Sequence, residues 1–269
     1  MRGGAQSHLI EASDNNFYVV KFRNNPQHRR ILVNELIAAE ILDYLQIHTP
    51  GWDLVQLPEE FLKESPDVSI QIGGRIIPPD PGWAFGSRFP GDPATTAIYD
   101  FVPDSLLAHV QNLEEFRAVL VFDKWAGNAD GRQAIFFRAV IKDWLQRANA
   151  GSRKTGFVAL MIDHGFIFNG PNWNFVESAF QGLYARRMVY SDLRTIEDLE
   201  PWMNRVRHFP DTVLDCALRR IPPEWIEGEE EELERLLETL LRRSKRIGEL
   251  IEQSQSVFPN WAASLAGTD

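Results

Sequence analysis

The chain has 269 residues, of which 44% are hydrophobic and 25% charged, the composition of an ordinary soluble globular protein. That length allows a full hydrophobic core, either in one large domain or in two lobes. The net charge of −10 argues against a nucleic-acid-binding surface, which would need a basic stripe. No apolar run approaches the roughly 18 residues of a membrane span, and the N-terminus lacks the apolar core of a signal peptide. We therefore expect a cytoplasmic protein that contacts neither a membrane nor nucleic acid directly.

The one cysteine, Cys216, excludes an internal disulfide and a cysteine-based zinc site. It lies in the apolar pattern VLDCAL, so we predict a packed core thiol rather than a nucleophile. A single reduced thiol also fits a reducing cytosol.

Residues 1–103 are rich in predicted strands and punctuated by glycine and proline. The β-branched run FYVVKF (17–22) predicts a strand. RRILVNELIAAEILDYL (29–45) carries apolar residues at helical spacing and predicts a helix bracketed by Pro26 and Pro50. Short runs at DLVQL, VSIQIGG, RIIP and GWAFGSRF predict the rest of one small sheet.

Residues 104–269 predict mostly helix. EEFRAVLVFDKWAG (114–127) has helical spacing and ends at Gly127, a natural helix stop. AIFF (134–137) and FVALMI (157–162) predict a strand pair, joined by the basic loop RANAGSRKTG (147–156). The pattern after about Ser191 is helical. A strand-rich part followed by a helix-rich part predicts an α+β fold with two lobes, 1–103 and 104–269, and with the chemistry at their junction.

The segment GGAQSH (3–8) places Gly4, Ala5, Gln6 and Ser7 immediately before a predicted strand. Backbone N–H groups exposed in such a glycine turn can cradle phosphate oxygens. A Gly-Gly turn near a chain terminus is also common without any ligand. The residues alone leave both interpretations open.

Lys21 ends the strand FYVVKF in phase with Phe17 and Val19, and Glu35 lies on the next helix. An inward-facing strand lysine is costly unless it is paired or binds an anion. A strand lysine held by a helix glutamate is how kinases position the α- and β-phosphates of a nucleotide. The alternatives are an edge-strand lysine facing water and a glutamate on a solvated helix face.

The motif FDKWAGNADGRQAIFF (122–137) can be interpreted in two registers. Asp123 and Asn128 have the D-x-x-x-x-N spacing of a protein-kinase catalytic loop, but helical spacing fixes Asp123 on the last turns of a helix. In the second register Asp130 orients or deprotonates the attacking hydroxyl, and Gln133 offers an amide oxygen to a metal. We prefer the second register, in which the Asp123 carboxylate braces the loop backbone or serves only as a structural cap.

Asp163 follows the apolar run FVALMI and precedes His164 and Gly165, the strand-Asp-x-Gly pattern of a magnesium-binding aspartate in kinase-like folds. The two strands of the predicted pair would bring Gln133 and Asp163 side by side at one end of a hairpin. We expect His164 to be packed or hydrogen-bonded, because magnesium prefers oxygen ligands. The aromatic cluster FIFNGPNWNF (166–175) favours activation-segment packing over base stacking.

In their order and spacing these motifs resemble the HipA-like kinases, in particular the short HipA-like kinase-domain proteins of bacteria. GGAQSHLI resembles the family's phosphate loop, VVKF its nucleotide lysine, and NEL its pairing glutamate. FDKWAGNADGRQ resembles the catalytic segment, which places the catalytic aspartate on Asp130 and leaves Asp123 and Asn128 as supporting residues. MIDHG resembles the metal-binding Asp-x-Gly, and the resemblance extends from residue 3 to about residue 225.

The resemblance implies a bilobal protein-kinase-like fold, ATP with magnesium, and phosphoryl transfer to a serine or threonine hydroxyl of an unknown protein substrate. It also implies a possible antitoxin-like partner and makes Ser7 a candidate for autophosphorylation. A phosphate on Ser7 would add about two negative charges where ATP must bind, and so should inhibit. The adenine-contacting hinge is expected between Trp83 and Val102.

Two departures from the family pattern support an alternative. The metal-binding asparagine expected after Asp130 is missing, with Gln133 as the nearest amide, and the strand before the phosphate loop is absent or very short. Both favour a pseudokinase that binds nucleotide as a scaffold or sensor. Retention of Lys21, Asp130 and Asp163 favours an active kinase. A remoter alternative is a metal-dependent phosphohydrolase, although the six histidines are scattered.

Overall fold

The computed structural model describes residues 4–145, 154–258 and 260–261, so most of the predicted loop 147–156 lies outside the described residues. The strands of the described part are β1 (His8–Glu11), β2 (Phe17–Lys21), β3 (Trp52–Leu57), β4 (Ile70–Ile72), β5 (Arg75–Ile77), β6 (Gly82–Arg88), β7 (Ile98–Tyr99), β8 (Gln133–Val140) and β9 (Thr155–Ile162). The helices are α1 (Arg30–Leu45), α2 (Glu59–Glu64), α3 (Asp104–Leu107), α4 (Glu115–Ala126), α5 (Ile141–Trp144), α6 (Glu200–Arg207), α7 (Asp211–Arg220), α8 (Pro223–Ile226), α9 (Glu230–Arg243) and α10 (Ile247–Glu252).

The N-terminal sheet has the order β1-β2-β6-β3, and all its neighbouring strands are antiparallel. Residues directly opposite one another in such a sheet point to the same face. Leu9 pairs with Val19, Val19 with Ser87, and Lys21 with Phe85, so these five side chains share one face. The other face carries a small core that includes Ile10, Tyr18, Val20, Phe22, Val55 and Leu57.

The runs VSIQIGG and RIIP do not join this sheet, contrary to the prediction. They form a separate hairpin of β4 and β5, which turns at Gly73 and Gly74 with φ of 55° and 81°. Positive φ at both turn residues is the conformation that glycine adopts without strain. Val68 and Ile70 bury the base of the hairpin against the small core, so it covers the sheet instead of extending it.

Helix α1 begins one residue after the predicted start and ends at the predicted residue, Leu45. Most of its residues are buried, as expected for a helix enclosed on all sides. At its start Arg30 donates to Glu229 (Nε to Oε2, 3.1 Å) and to the carbonyl of Pro171 (2.9 Å), and its guanidinium lies 4.3 Å from the centre of the Trp173 ring. The start of α1 is therefore attached to segments from the C-terminal half of the chain.

Helix α4 ends at Gly127 with φ of 63°, as the sequence predicts. Strands β8 and β9 pair over eight residues each, from Gln133 opposite Ile162 to Val140 opposite Thr155. Both are longer than the predicted runs AIFF and FVALMI. The short strand β7 adds to the outer edge of β8. The hairpin thus delivers the start of β8 and the end of β9 to one place.

The rest of the described chain is largely helical, and it contradicts the prediction made for Cys216. Cys216 is exposed and not a core thiol. The buried positions of α7 are Leu214 and Ala217, so the helical rotation carries Cys216 away from the core. The charged C-terminal sequence forms two helices, α9 and α10, separated by a short 3-10 turn, Ser244–Arg246. Within the described residues, no helix is long and apolar enough to cross a bilayer.

Candidate active site

Three charged side chains from separate elements meet where the sheet, α1 and the β8–β9 hairpin converge. Lys21 Nζ donates to Glu35 Oε1 and, at 2.6 Å, to Asp163 Oδ1. Lys21 and Glu35 are buried, whereas the Asp163 side chain is 37% exposed. Lys21 is therefore not a water-facing edge lysine, and Glu35 does not lie on a solvated helix face. The exposed side of Asp163 is the open end of the triad.

The pKa values of the triad follow from burial and from its one cation. Burial alone would lower the pKa of Lys21, but the Glu35 and Asp163 carboxylates outweigh it and raise that pKa. Burial likewise would raise the pKa of Asp163, but the Lys21 ammonium lowers it below its usual value. The pKa of Glu35 is raised by burial, which outweighs the attraction of Lys21. Asp163 is thus the carboxylate of the triad that is firmly ionised and reachable from outside.

The two residues after Asp163 fix its position. Gly165 donates its backbone N–H to Glu35 Oε1 at 2.9 Å, and a Cβ at Gly165 would overlap the side chain of Ile31. His164 is buried and receives a bond at Nδ1 from Arg132 Nη1 (2.9 Å), while its Nε2 donates to the Met161 carbonyl (3.1 Å). Burial and the Arg132 charge hold the pKa of His164 well below its usual value, so the ring is neutral. His164 is therefore a packed residue with both ring nitrogens hydrogen-bonded inside the protein, as expected.

Asp123 lies in a sealed network beneath the loop that follows α4. Its carboxylate accepts from Arg132 (Nε to Oδ2, 2.9 Å, and a second bond from Nη2 to Oδ1) and from Asn128 Nδ2 (2.9 Å). Arg132 also donates to the carbonyl of Ile162 at 2.8 Å. Asp123 and Asn128 are both 0% exposed. The carboxylate therefore braces the loop through side chains rather than through its backbone, and Asp123 has no access to a substrate.

Arg132 was missed by the sequence interpretation. A buried carboxylate requires a cationic partner, and this requirement is the signal that could have found it. Two basic residues, Lys124 and Arg132, lie in the motif, and only the arginine has the planar fork that matches a carboxylate with two bonds.

Asp130 lies on the exposed side of the same loop. Its backbone N–H donates to Asn128 Oδ1 (3.1 Å), and its backbone carbonyl accepts from the N–H of Gly182 (3.0 Å). Gln133 Nε2 is 3.4 Å from Asp130 Oδ2 and 3.0 Å from Asp163 Oδ2. Asp130, Gln133 and Asp163 thus form one polar row at the end of the β8–β9 hairpin, and the predicted approach of Gln133 to Asp163 is confirmed.

The predicted phosphate loop is described from Gly4 onward. Gln6 has a φ of 52°, and its side-chain amide pairs with the backbone of Gln71 in β4 through two bonds of 2.9 and 2.7 Å. The Gln6 side chain is therefore held by the hairpin, so only backbone groups of Gln6 could meet a ligand. Ala5 and Ser7 are buried, at 6% and 8% exposure.

The oxygen atoms of the polar row suit a magnesium ion that takes its remaining ligands from molecules other than this protein. Within the described residues no group of three or more His, Cys, Asp or Glu could hold a metal. The Asp163 carboxylate supplies an oxygen ligand, and Gln133 supplies a second one when its side-chain amide rotates so that the oxygen faces the site. Magnesium bound through one or two protein oxygens usually takes its other ligands from phosphates and water.

A second feature missed from the sequence is the apolar surface next to Lys21. Leu9 and Val19 lie on the same sheet face as Lys21, where Leu9 is 43% exposed and Val19 is half-buried. The sequence alone does not identify either as a ligand-contacting residue, because it does not specify the sheet register. Ser87 lies beside Val19 and, with Phe85, lines a small cavity that reaches Asp163.

Comparisons with known proteins identify a family and a similar solved structure. The family model described as HipA-like kinase matches residues 1–253. Among solved structures, the chain is similar to one in the Shewanella oneidensis MR-1 toxin–antitoxin complex of HipA, HipB and operator DNA. The sequence identity is 14% and the TM-score is 0.50, over 94% of this chain and 67% of that chain. At this identity the likeness establishes the fold, which is α+β and kinase-like. No curated protein sequence matched.

Proposed function

The chain belongs to the HipA-like kinase family, and we propose that it is an ATP- and magnesium-dependent kinase that phosphorylates a serine or threonine hydroxyl of a protein. This proposal rests on the convergence of two sets of residues. The Lys21–Glu35 pair meets Asp163, and Asp163 lies in one row with Gln133 and Asp130. A kinase needs these two functions, phosphate holding and hydroxyl positioning, within reach of one another.

On the N-terminal side, Lys21 would hold the α- and β-phosphates while Glu35 keeps the ammonium in place. Backbone N–H groups of the segment from Gly4 to Ser7 would bind phosphate oxygens. The exposed Leu9 and the half-buried Val19 would offer an apolar surface to the adenine ring. We assign residues 1–103 and 104–269 to the two lobes, with the cleft between them and the hinge within residues 83–102.

Asp163 and Gln133 would hold the magnesium ion. When bound, magnesium neutralises charge on the phosphate oxygens during transfer. Asp130, exposed at the end of the same row, would orient the acceptor hydroxyl and accept its proton as the new oxygen–phosphorus bond forms and the bond to ADP breaks. Most of the rate enhancement would come from positioning and charge stabilisation, because the protein forms no covalent intermediate.

A pseudokinase remains the second candidate, and one observation favours it. The Gln133 amide nitrogen faces Asp163 at 3.0 Å, where the family pattern implies an asparagine that binds metal. A scaffold or sensor would bind nucleotide through Lys21 and the sheet face without transferring phosphate.

We further propose a protein partner of the antitoxin type, because the similar solved structure is a complex of HipA with HipB and operator DNA. The net charge of −10 supports recruitment of this chain through a protein rather than by direct contact with nucleic acid. Autophosphorylation of Ser7 would require the segment around it to open, since Ser7 is 8% exposed in the described conformation.

Calorimetric titration of ATP with and without magnesium tests the proposal. Wild-type protein should bind ATP more tightly with magnesium, and Asp163→Ala should lose that magnesium-dependent gain. Asp215→Ala, an exposed carboxylate on α7, is the matched control and should behave as wild type. An absence of ATP binding under either condition would contradict both the kinase and the pseudokinase.

A further inference from the structure

Asn34 is a fully buried amide that makes all of its side-chain hydrogen bonds with the segment following Asp163. Its Nδ2 donates to the backbone carbonyls of Gly165 (2.7 Å), Ile167 (3.1 Å) and Gly170 (3.0 Å). Its Oδ1 accepts from Trp173 Nε1 at 2.9 Å. Asn34 is 0% exposed, so water cannot replace these bonds. One side chain on α1 therefore holds four groups spread over nine consecutive residues.

The segment held by Asn34 has a conformation that it would not keep alone. Phe168, Asn169 and Trp173 have positive φ values of 58°, 56° and 48°. Non-glycine residues in this region cost roughly 1 kcal/mol or more each and persist where the surroundings fix them. Because the irregular backbone cannot satisfy its own carbonyls in a regular helix, the Asn34 amide supplies the missing donors.

The same segment contacts both halves of the proposed catalytic row. Ala129 donates its N–H to the Phe166 carbonyl at 2.9 Å, and Asn169 donates its N–H to the Gly127 carbonyl at 3.1 Å. These bonds attach the loop that carries Asp130. At the other end, Gly165 is bonded through its N–H to Glu35 and through its carbonyl to Asn34. Asn34 and Glu35, which are consecutive on α1, thus bind the carbonyl and the N–H of Gly165.

We propose that Asn34 is a positioning residue that couples α1 to Asp163 and to the Asp130 loop, so that the phosphate-holding pair and the metal-holding row assemble together. This inference rests on the proposed function for its consequence in catalysis. The coupling itself is a property of the hydrogen-bond network and can be tested without any activity. In this proposal Asn34 acts through residues 165–173 and not by contacting substrate or nucleotide itself.

The chain provides a matched control in Asn112. It is 1% exposed, and it also bonds through both side-chain atoms to the hairpin: Nδ2 to the Ala159 carbonyl (2.8 Å) and Oδ1 to the Ala159 N–H (2.9 Å). Asn112→Leu removes a buried amide that is bonded to β9, and it leaves the contacts of the segment after Asp163 unchanged. Asn34→Leu removes the same chemical group from its bonds to that segment. Trp173→Phe is a milder test, because it removes only the indole donor and keeps an aromatic ring beneath Arg30.

Hydrogen–deuterium exchange resolved to short peptides is the first measurement. Asn34→Leu should increase exchange across residues 165–173 and the loop 127–130 by about tenfold or more, and Trp173→Phe should increase it less. Asn112→Leu should increase exchange near residue 159 and leave residues 165–173 as in wild type. Equal exchange of residues 165–173 in wild type and Asn34→Leu would overturn the coupling. Should Asn34→Leu fail to fold, Trp173→Phe gives the same decision.

Binding of Mn²⁺ in the presence of a non-hydrolysable ATP analogue, followed by electron paramagnetic resonance, is the second measurement. Asn34→Leu should weaken Mn²⁺ binding by about tenfold or more, and the analogue measured without metal should bind within about threefold of wild type. An equal loss in Asn112→Leu would mean that the effect is general destabilisation and would overturn the inference. If wild type itself binds no Mn²⁺ with the analogue, the proposed function fails, while the exchange data still decide the coupling.

Discussion

Asp123 and Asp130 are seven positions apart in one motif and lie in opposite environments. Asp123 is 0% exposed, and its carboxylate is held by Arg132 and Asn128. Asp130 is exposed, and its side chain accepts from its neighbour Gly131 and, at 3.4 Å, from Gln133. We call these the closed side and the open side of the motif.

Access to solvent, rather than residue type, separates the two registers of the motif. A carboxylate whose oxygens are all bonded inside the protein stabilises the loop but cannot meet a hydroxyl. A carboxylate whose oxygens are open to solvent can contact a substrate hydroxyl, but it contributes little to stability. Substitutions on the two sides should therefore affect different properties, stability on the closed side and phosphoryl transfer or metal binding on the open side.

Asp123→Asn should lower the free energy of unfolding by about 3–5 kcal/mol, because it leaves the buried Arg132 charge without a carboxylate. Chemical denaturation would measure the loss. Glu200→Gln breaks the partly exposed pair with Arg207 and should change stability by about 0.5 kcal/mol or less. A loss below about 1 kcal/mol in Asp123→Asn would contradict the closed-side interpretation.

Asp130→Ala should lower the rate of phosphoryl transfer by about 10²–10⁴-fold, because it removes the group proposed to position and deprotonate the acceptor. Its free energy of unfolding should stay within about 1 kcal/mol of wild type. A radiolabelled γ-phosphate transfer assay and chemical denaturation measure the two effects. Unchanged transfer would exclude Asp130 from the reaction. Wild-type protein that binds ATP with magnesium but never transfers would favour the pseudokinase.

Gln133→Ala should weaken the magnesium-dependent part of ATP binding by about tenfold, because one oxygen donor is lost while Asp163 remains. Calorimetry at several magnesium concentrations would show it. Gln133→Asn restores an amide with a shorter reach and resembles the family pattern, so it should recover part of the loss. If Gln133→Ala binds magnesium and ATP as wild type does, Gln133 is not a metal ligand.

Lys124, next to Asp123 on the closed side, should make stability depend on alkaline pH. Burial lowers its pKa to about 8, below the ordinary value of 10.5. Between these values the unfolded chain holds a proton that the folded chain lacks, so the stability contributed by this group rises with pH. From pH 8 to 9.5 the stability of wild type relative to Lys124→Met should rise by about 1–2 kcal/mol, measured by denaturation. A pH-independent difference would contradict the lowered pKa.

Residues with local signals could be predicted well. The helix stop at Gly127, the strand pair and the approach of Gln133 to Asp163 follow from periodicity and from the geometry of a hairpin. Lys21 and Glu35 could be proposed as a pair, but the alternatives to that pair could be removed only by their burial in the fold.

The residues that were missed depend on partners far away in sequence. The four bonds of Asn34 reach 131–139 residues along the chain, and no local pattern marks a helix asparagine for that role. The same limit explains the hairpin of β4 and β5, whose strand pattern is correct but does not specify a partner strand. The exposure of Cys216 depends on which face of α7 meets the core, and an apolar run does not fix that face.

The attachment of Arg30 at the start of α1 bears on how the proposed nucleotide cleft would open. The bonds of Arg30 to Glu229 and Pro171, and its stacking over Trp173, join α1 to the C-terminal half of the chain. Lys21 belongs to the sheet, so a movement that lifts the sheet alone must break the bond between Lys21 and Glu35. Release of a spent nucleotide would then carry the activation barrier of that ion pair, and turnover could be limited by opening rather than by chemistry.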